Sequence, residues 1–526
     1  MNKKYFTAAL LVLAVAPAMA QEAYDAANMA TEDLNGTARY VGMGGALDAL
    51  GADISTISTN PAGIGMFRHS MVSTSFGLVS QEGASSFSNA NKTNMSFDQI
   101  GFVYSSRTGL NSFINFGFNF HKSRNFDQIL SAANTAINHS SQANQTTYKG
   151  VGYDWITSGT HNHNNVSNCR MGETALDYLY EDYCFQKGTD GVYYPTTWNA
   201  SDYSLNRGNT GYIGEYDLNL SGNSKDRFYW GLTFGIHDVH YNSYTAYAEN
   251  ILNNSGANTG QFKLSDSREV TGTGYDIKAG IIFRPVEESP FRIGLSVSTP
   301  TWYELKTSYL TGLVSPDGNK SINDSYKFRL YTPWKFGLSM GHTIDNMLAI
   351  GASYEYSDYS TNSVRQIDSD SYDWYTDSYY SNSHEETGMK TLIQNTLKGV
   401  STFKIGAELK ADDNIFVRLG YNYVSPVFKS TGVRDQTIDT EGMHFATTTD
   451  YTNWKATNRI TAGGGFAYDK FRVDLAYQYS VTDGDFYPYM NGLTVTQNGT
   501  TYSNECSAVK VSNKRHQVLL TLGYTF

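Results

Sequence analysis

Large apolar residues alternate with small or polar residues along much of the chain from about residue 95 onward. The alternation runs in segments of roughly eight to ten residues, with every second position large and apolar. The clearest segments have their apolar positions at Phe228, Trp230, Leu232, Phe234 and Ile236; at Leu348, Ile350, Ala352, Tyr354 and Tyr356; and at Phe471, Val473, Leu475, Tyr477 and Tyr479. Because successive side chains of a strand point to opposite faces, this period predicts strands with one apolar face.

Further copies of the pattern set the number of strands. They begin near Tyr104, Ile114, Tyr212, Ile277, Phe291, Trp334, Phe403, Ile415, Ile460 and Val518, with weaker copies near Met71 and Tyr244. Together they predict an all-β chain of about fourteen strands, to within about two. A soluble β-sandwich has the same period, with its apolar face turned to a core, so alternation alone does not place the protein.

Three features favour a membrane barrel over a soluble sandwich or propeller. The predicted strands are about nine to eleven residues long, which suits a tilted bilayer crossing better than the usual five or six of globular sheets. Tyr and Trp gather near strand ends, as in the aromatic girdles of membrane barrels. The last segment, Val518 to Phe526, alternates and ends on an aromatic residue. We therefore expect a transmembrane antiparallel β-barrel, closed because lipid cannot pair a free sheet edge.

Composition narrows the class further. Charged residues make up only 17% of the 526 residues and aromatic residues 14%, so the mean hydropathy of −0.42 reflects uncharged polar side chains. The net charge of −11 disfavours a nucleic-acid partner, which needs a basic surface. Cys169, Cys184 and Cys506 lack the spacing of a zinc site. Cys169 and Cys184 remain open as either a loop disulfide or two free thiols.

Residues 1–20 have the three parts of a secretory signal peptide. A basic start precedes an apolar run from Tyr5 to Ala16, and an A-x-A cleavage site ends at Ala20. The mature chain is therefore expected to begin at Gln21. No later stretch has 18 or more consecutive apolar residues, so strands rather than helices are expected to cross the membrane.

Residues 21–69 lack the alternation and predict a different element. They are rich in small residues and glycine breaks. A segment of about 45 residues is too small for a stable domain, but it suits a plug for a lumen that wall side chains cannot fill. Asn60-Pro61 has the chemistry of a helix start, since Asn caps free N–H groups and Pro favours the first helical position. The domain plan is a signal peptide (1–20), a plug or hatch (21–69) and a barrel (70–526).

Several short motifs occur together in this order. They are Gly44-Gly45-Ala46, Gly51-Ala52-Asp53-Ile54, Asn60-Pro61-Ala62-Gly63, Thr299-Pro300-Thr301, Thr332-Pro333-Trp334, Ser425-Pro426-Val427 and Gly463-Gly464-Gly465. With them the chain resembles the FadL/TodX family of outer-membrane transporters for long-chain fatty acids and other hydrophobic compounds. The resemblance is strongest at Asn60 to Gly63.

The resemblance implies a fourteen-stranded barrel with a hatch and a hydrophobic pocket between hatch and wall. It implies passive transport: the ligand enters the pocket, the hatch rearranges, and a kinked strand opens a lateral gap towards the bilayer. It assigns gating to Asn60, Pro61, Ala62 and Gly63. Apolar hatch residues become pocket candidates, with packing inside the hatch as the alternative: Met43, Leu47, Leu50, Ile57, Met66 and Phe67. Gly117 is the candidate strand kink, with an ordinary lumen-facing glycine as its alternative.

The prediction is thus a multi-pass β-barrel of the bacterial outer membrane whose partners are hydrophobic small molecules and membrane lipid. Phe526 resembles the C-terminal aromatic residue that the barrel-assembly machinery recognises. Two long polar insertions, near 125–210 and 360–400, depart from the family pattern and are expected to be extracellular loops. They leave open a second function, a surface protein that captures haem or a glycan. A barrel enzyme is a third hypothesis.

No residue set favours catalysis, a cofactor or a metal. His161, His163 and His121 have ligand chemistry, but a His-x-His pair in a polar loop is usually solvated. The run from Gly42 to Leu47 lacks the last glycine of a nucleotide-binding motif and follows no predicted strand. Serine-hydrolase and zinc-protease motifs do not occur. We therefore expect a non-enzymatic channel without a cofactor or metal, with affinity from burying apolar ligand surface, about 0.8 kcal/mol per CH₂.

Overall fold

The structure of the protein, a computed structural model, describes most of the chain. The described residues are 23–135, 140–152, 174–189, 193–253, 256–368, 371–373, 378–438, 440, 443–497 and 499–526. The predicted signal peptide, His161, His163 and Cys169 lie outside these ranges, whereas Cys184 is a buried free cysteine. None of the described helices is long and apolar enough to cross a bilayer.

The described residues form mainly strands. The strands are β1 Met71–Gln81, β2 Thr93–Gly109, β3 Ser112–Asn125, β4 Gln128–Asn134, β5 Phe185–Lys187, β6 Tyr193–Pro195, β7 Asn199–Ser224, β8 Phe228–Leu252, β9 Asn258–Phe283, β10 Arg292–Ser298, β11 Trp302–Ser315, β12 Gly318–Tyr331, β13 Lys335–Ile344, β14 Leu348–Asp358, β15 Ser363–Ile367, β16 Ser371–Asp373, β17 Ser378–Tyr380, β18 Ser383–Glu385, β19 Gly399–Lys410, β20 Ile415–Val424, β21 Tyr451–Tyr468, β22 Phe471–Tyr487, β23 Leu493–Gln497, β24 Thr500–Asn504 and β25 Val509–Thr525. The α-helices are α1 Ala23–Ala30, α2 Ala38–Gly42, α3 Gln142–Gly152, α4 Ala175–Cys184 and α5 Thr387–Thr396. Short 3₁₀ helices span Ile54–Ser58, Pro61–Met66, Tyr359–Thr361 and Met443–Phe445.

Fourteen antiparallel strands form a closed barrel, as the alternation predicts. Around the wall they follow the order β1, β2, β3, β7, β8, β9, β10, β13, β14, β19, β20, β21, β22 and β25. The last strand closes the cylinder, because β25 pairs with β1 from Met71 opposite Thr525 to Gln81 opposite Arg515. Closure gives every wall strand a paired neighbour on each side, which is the condition for a sheet in lipid.

The two faces of the wall strands differ as the alternation predicts. On β8, Phe228, Trp230, Leu232 and Phe234 point outward with 36–51% of their surface exposed. The residues between them point into the lumen and are buried. The same outward apolar band continues around the barrel, so the wall is a transmembrane barrel of the outer-membrane type.

Several wall strands are much longer than the predicted nine to eleven residues. β8 has 25 residues and β9 has 26, because the sheet continues past the apolar band towards one end, here called the outer end. β10 and β11 pair with successive parts of β9 and form one strand that is interrupted at Thr299-Pro300-Thr301. β12 and β13 are interrupted opposite, at Thr332-Pro333-Trp334. Proline has no N–H for the ladder, which explains both interruptions.

The described parts of the two polar insertions are folded over the outer end. Within 125–210, β4 pairs with the first part of β7, so the wall extends into the range predicted as loop. The helix α4, which lies between β4 and β7 in the sequence, packs its apolar face against the lumen side of β8, β9 and β11. Within 360–400, α5 packs against α1. The plug, defined here as residues 23–69, is therefore held between this cover and the lumen wall.

Candidate functional site

Asn60 and Pro61 start a short helix inside the barrel, as the sequence predicts. The Asn60 side chain accepts a hydrogen bond from the Ala62 N–H at 3.2 Å, and Pro61 occupies the first helical position. Asn60 is 1% exposed, and its Nδ2 has no hydrogen-bond partner among the described residues. The motif is thus a buried turn of the plug, in contact with the wall.

Wall glycines make room for this turn. A Cβ on Gly231 would overlap the Pro61 backbone, and a Cβ on Gly280 would overlap the Asn60 side chain. A Cβ on Gly294 would lie 2.8 Å from Asn60 Nδ2, which is also too close. Gly231 and Gly280 are direct cross-strand partners on β8 and β9. The Asn-Pro turn therefore lies on a wall surface without side chains.

A second glycine surface carries the other half of the plug. Gly341, Gly351, Gly406 and Gly420 lie in register on four adjacent strands, β13, β14, β19 and β20, each opposite the next. We call them the glycine row. Cβ atoms here would meet the plug backbone and side chains between residues 43 and 50. The sequence analysis missed this row, since neighbouring strands are far apart in sequence.

Ion pairs add directional contacts between plug and wall. Arg39 on α2 donates two hydrogen bonds to Glu408 on β19, at 3.0 and 2.9 Å. Glu408 also accepts from Arg418 on β20 at 2.6 Å. Asp48 of the plug lies 3.7 Å from Lys404 on β19. These charged side chains of the lumen wall therefore pair with the plug.

The six apolar pocket candidates lie within the plug or between plug and wall. Met43, Leu47 and Leu50 are buried in one cluster with Ala476 and Leu519 of the wall. The other three fall in two smaller clusters, with Ile57 and Phe67 in one and Met66 in the next. None of the six lines the large cavity described below. Their role as ligand contacts stays a prediction.

Gly117 lies in regular sheet. It pairs with Val103 on one side and Asn219 on the other, and a Cβ here would lie 3.4 Å from Ile57 of the plug. The irregularity of β3 lies farther along, at Ser123, where the register with β7 shifts by one residue. A kink role for Gly117 stays a prediction, while the observed bulge belongs to Ser123.

The ladder between β2 and β3 stops below the outer end. Its last pair is Gln99 opposite His121, although β2 itself begins at Thr93. Beyond the bulge, β4 bends towards β1: the Gln81 side chain donates to the Ile129 C=O at 2.7 Å and accepts from the Ile129 N–H at 2.8 Å. Residues 93–98 of β2 therefore have no backbone pairing with β3, and only side-chain contacts such as Lys122 Nζ to Ser96 Oγ at 2.9 Å span this interruption of the ladder.

The plug binds the strand beside this interruption. The Asp33 N–H donates to the Ser123 C=O at 2.8 Å, and the Asp33 carboxylate accepts from the Asn125 N–H at 3.0 Å. Burial acts to raise the pKa of Asp33, but Arg124, Arg515 and Arg459 outweigh it and lower the pKa to about 2. Asp33 is thus an ionised latch between plug and β3.

A cavity of about 250 Å³ lies above the latch, between α1 and the wall. One part of its lining is aromatic: Tyr24, Phe126, Tyr241, Tyr359, Phe428, Tyr451 and Trp454. The other part is charged, with the cations Arg124, Arg207, Arg434, Lys455, Arg459 and Arg515 and the acids Asp25, Glu32, Asp33 and Asp450. Six cations against four acids make this an amphipathic site with a positive excess in its lining, of which Lys455 also pairs with Asp485 outside the cavity at 3.2 Å.

Among the comparisons with known proteins, the one with solved structures bears on the architecture. No protein-family model and no curated protein matches the chain. The chain is similar in structure to a FadL homologue of Pseudomonas aeruginosa, at 12% identity and a TM-score of 0.50, over 94% of this chain and 100% of that one. The chain has a FadL-like fold. The toluene transporters TbuX of Ralstonia pickettii (13% identity, TM-score 0.46) and TodX of Pseudomonas putida (11%, 0.46) also match, each over 94% of this chain and 99% of its own.

Within the FadL-like fold, the sequence analysis located the Asn-Pro turn and missed the cavity; the gating role of Asn60, Pro61, Ala62 and Gly63 stays a prediction. The Asn-Pro motif was visible because a capping residue followed by proline is a local feature. The cavity was not visible, because its lining comes from the plug, the long insertions and at least five wall strands. The sequence contained one indication of the charged side of the cavity: Arg residues such as Arg207 and Arg459 occur within predicted strands, at positions that face the lumen.

Proposed function

We propose that this protein is a passive outer-membrane channel for hydrophobic and amphipathic small molecules, without covalent chemistry. The observation that carries the proposal is the cavity in which aromatic and arginine side chains meet directly above a plug. Tyr24 of the plug stacks on Phe428 at 4.8 Å between ring centroids, so a ligand in this cavity contacts the plug itself. Ligand binding in the cavity is therefore coupled to the position of the plug.

The charges of the cavity favour a ligand with an apolar body and an anionic end. The lining has two more cations than acids, and Arg459 also donates to Asn422 Oδ1 at 2.8 Å, which holds its guanidinium in place. Arginine binds carboxylates through paired hydrogen bonds, and each buried CH₂ of the tail adds about 0.8 kcal/mol. A long-chain fatty acid fits this description, whereas a neutral hydrocarbon offers the arginines no acceptor.

The route follows from the position of the latch. A ligand that binds better when residues 24–35 are displaced shifts the population towards the displaced plug. Displacement frees Ser123 and the edge of β2, where residues 93–98 lack backbone pairing with β3. We infer that the ligand leaves through this interruption towards the bilayer, so that it never crosses the periplasmic end of the lumen.

Uptake of labelled oleate by cells with and without the gene tests the proposal. Arg459→Gln is expected to lower oleate uptake about tenfold, because it removes a charge-assisted hydrogen bond of about 1.5 kcal/mol. The matched control is Arg227→Gln, whose partner Glu287 lies at the opposite end of the barrel. Uptake of a neutral aromatic compound is not expected to fall in either variant, because Arg459→Gln also weakens the contact with Asp33 that holds the plug.

Two outcomes would contradict this function. Equal oleate uptake with and without the gene would reject transport. Haem or glycan binding that is lost on deleting residues 136–198, in cells whose oleate uptake does not depend on the gene, would instead support the surface-capture hypothesis. The unboiled protein should migrate faster than boiled protein in SDS gels for every variant, which checks that the barrel is folded.

A further inference from the structure

Six ionisable side chains form a buried group in the lumen that the proposed channel does not use. They project from β3, β7, β8 and β9, each is at least nine-tenths buried, and we call them the lumen cluster: His121, Glu215, Asp217, His237, Asp276 and Lys278. The three carboxylates and one ammonium leave two negative charges uncompensated. Buried charge without compensation is strongly destabilising, so the cluster has to acquire two positive charges.

Lys278 contacts one oxygen of each of the three carboxylates. Its Nζ lies 2.8 Å from Glu215 Oε1, 3.3 Å from Asp217 Oδ1 and 2.7 Å from Asp276 Oδ1. Glu215 Oε2 and Asp217 Oδ2 are left for other partners, and Asp217 Oδ2 has no hydrogen-bond partner among the described residues. A second cation therefore has two oxygen ligands available.

The tautomer of His237 supplies a nitrogen ligand. His237 Nε2 lies 3.0 Å from Asp276 Oδ2, which places the ring proton on Nε2. Nδ1 then carries a lone pair, has no hydrogen-bond partner among the described residues, and lies 3.8 Å from Glu215 Oε2. A lone pair facing a carboxylate oxygen is repulsive unless a cation lies between them. Metal-binding histidines in proteins are typically held by a carboxylate in this way.

His121 completes the set from the other side. Its Nε2 lies 3.7 Å from Glu215 Oε2, and its Nδ1 lies 3.8 Å from Asp217 Oδ2. One ligand atom from each of His121, Glu215 and Asp217 can be chosen so that all lie within 4.8 Å of one another. Tetrahedral bonds of about 2.0–2.1 Å place ligand atoms about 3.3–3.4 Å apart. The separations from Glu215 Oε2 to His121 Nε2 (3.7 Å) and to His237 Nδ1 (3.8 Å) exceed this spacing by a few tenths of an ångström. The limit of 4.8 Å means that the widest separation among His121, Glu215 and Asp217 has to close by at most about 1.4 Å.

We propose that the lumen cluster binds one divalent transition-metal ion of the zinc class. The ligands are His121, His237, Glu215 and Asp217, and Asp276 orients His237. Two imidazoles and two carboxylates suit such ions, and the charge of the ion balances the two excess negative charges. A cavity of about 80 Å³ lined by His121 and Glu215 gives the ion access. The sequence analysis expected no metal, because these residues come together only in the barrel.

Cobalt serves as the probe, since Co²⁺ in a tetrahedral nitrogen and oxygen site gives intense visible absorption. Detergent-solubilised protein is treated with a chelator, dialysed and titrated with Co²⁺, and bound zinc is measured separately by mass spectrometry. One ion per chain is expected in the wild type. Affinity should fall at least tenfold in His237→Ala and His121→Ala, and by roughly 10- to 100-fold in Asp276→Asn.

His240→Ala is the matched control, because His240 lies on the same strand as His237 but points outward and pairs with Asp238 at 2.9 Å. Its cobalt affinity should equal that of the wild type. Absence of stoichiometric cobalt and zinc binding in folded wild-type protein would overturn the proposal and assign the charge balance to protons. Equal affinity in the wild type and the His121→Ala/His237→Ala double variant would overturn it as well. Both readouts are independent of oleate uptake.

Discussion

Arg39 of the plug and Glu408 of the wall form a two-pronged ion pair, with Nε–Oε2 at 3.0 Å and Nη2–Oε1 at 2.9 Å. Glu408 also binds Arg418, whose side chain is fully buried. One carboxylate thus joins the plug to the charge network of the wall. Replacing Arg39 removes the contact between plug and wall, while Arg418 keeps its bond to Glu408. A substitution at Arg39 therefore tests this contact without leaving a buried arginine unpaired.

Arg39→Gln is expected to loosen the plug. Loss of a charge-assisted hydrogen bond costs about 1.5 kcal/mol, which corresponds to roughly a tenfold larger fraction of displaced plug. The measurement is the open fraction of single channels in planar bilayers. Arg68→Gln is the control, because Arg68 pairs with Asp226 but is 58% exposed and screened by water. Equal opening in both variants would show that the Arg39 pair does not hold the plug.

Gly351→Ala tests the glycine row. The added Cβ would overlap the Ala46 C=O and lie 3.1 Å from Leu50 Cδ1, so the plug backbone has to move. Overpacking of this kind costs about 1–3 kcal/mol. We expect a lower temperature for the shift between folded and unfolded bands in SDS gels, and a higher channel leak.

Gly464→Ala is the matched control for the glycine row. Here the added Cβ meets only Phe416 O, at 3.9 Å, which is ordinary contact. This variant should behave as the wild type in both measurements. If Gly351→Ala also behaves as the wild type, the close packing of the plug against the glycine row does not contribute to stability.

The latch at Asp33 predicts a dependence on acid pH. The pKa of about 2 in the folded protein lies below the ordinary value of about 3.9, so the carboxylate contributes stability that is complete above about pH 4. That contribution, about 2 kcal/mol, is lost as the pH falls from about 4 towards 2. Channel opening should therefore increase over this range and stay constant between pH 5 and 8 as far as Asp33 is concerned. Asp33→Asn should remove the acid-induced step, and an identical step in wild type and variant would disprove the assignment.

Variants at Gly117 and Ser123 distinguish two hypotheses for the irregularity of β3: a kink at Gly117 and the bulge at Ser123. A Cβ on Gly117 meets Ile57 at 3.4 Å and Asn219 at 3.5 Å, so Gly117→Ala is expected to leave oleate uptake within about twofold of the wild type. Deleting Ser123 removes the residue that shifts the register between β3 and β7, and it should draw β3 back towards β2. Uptake in that variant is expected to fall severalfold. The reverse ranking would favour a kink at Gly117.

The membrane barrel was readable from the sequence because strand alternation is local. Phe228 and Trp230 face outward because every second side chain of a strand shares a face, whatever the rest of the chain does. Strand number and closure followed from the same periodicity and from the needs of the backbone in lipid. The Asn60 cap was equally local, since its partner Ala62 is two residues away.

The lengths of the strands and the structure of the two insertions were harder to predict from the sequence. β8 and β9 extend far past the apolar band, where the alternation is weaker. The sequence analysis therefore predicted a separate, weaker strand near Tyr244 where the structure has a continuation of β8. The helices α4 and α5 are short, and their burial depends on the wall beneath them. Their positions follow from packing partners rather than from intrinsic helix preference.

By itself, the sequence determined which side of each wall strand meets lipid and that the leading segment is not part of the wall, because both depend on residues within about ten positions of one another. Only the tertiary structure decided which residues meet in the lumen. Gly351 opposes Gly406 and His121 faces Glu215 because the barrel sets the stagger of its strands, and no local pattern contains that register. The cavity, the latch and the lumen cluster all arise from this long-range pairing.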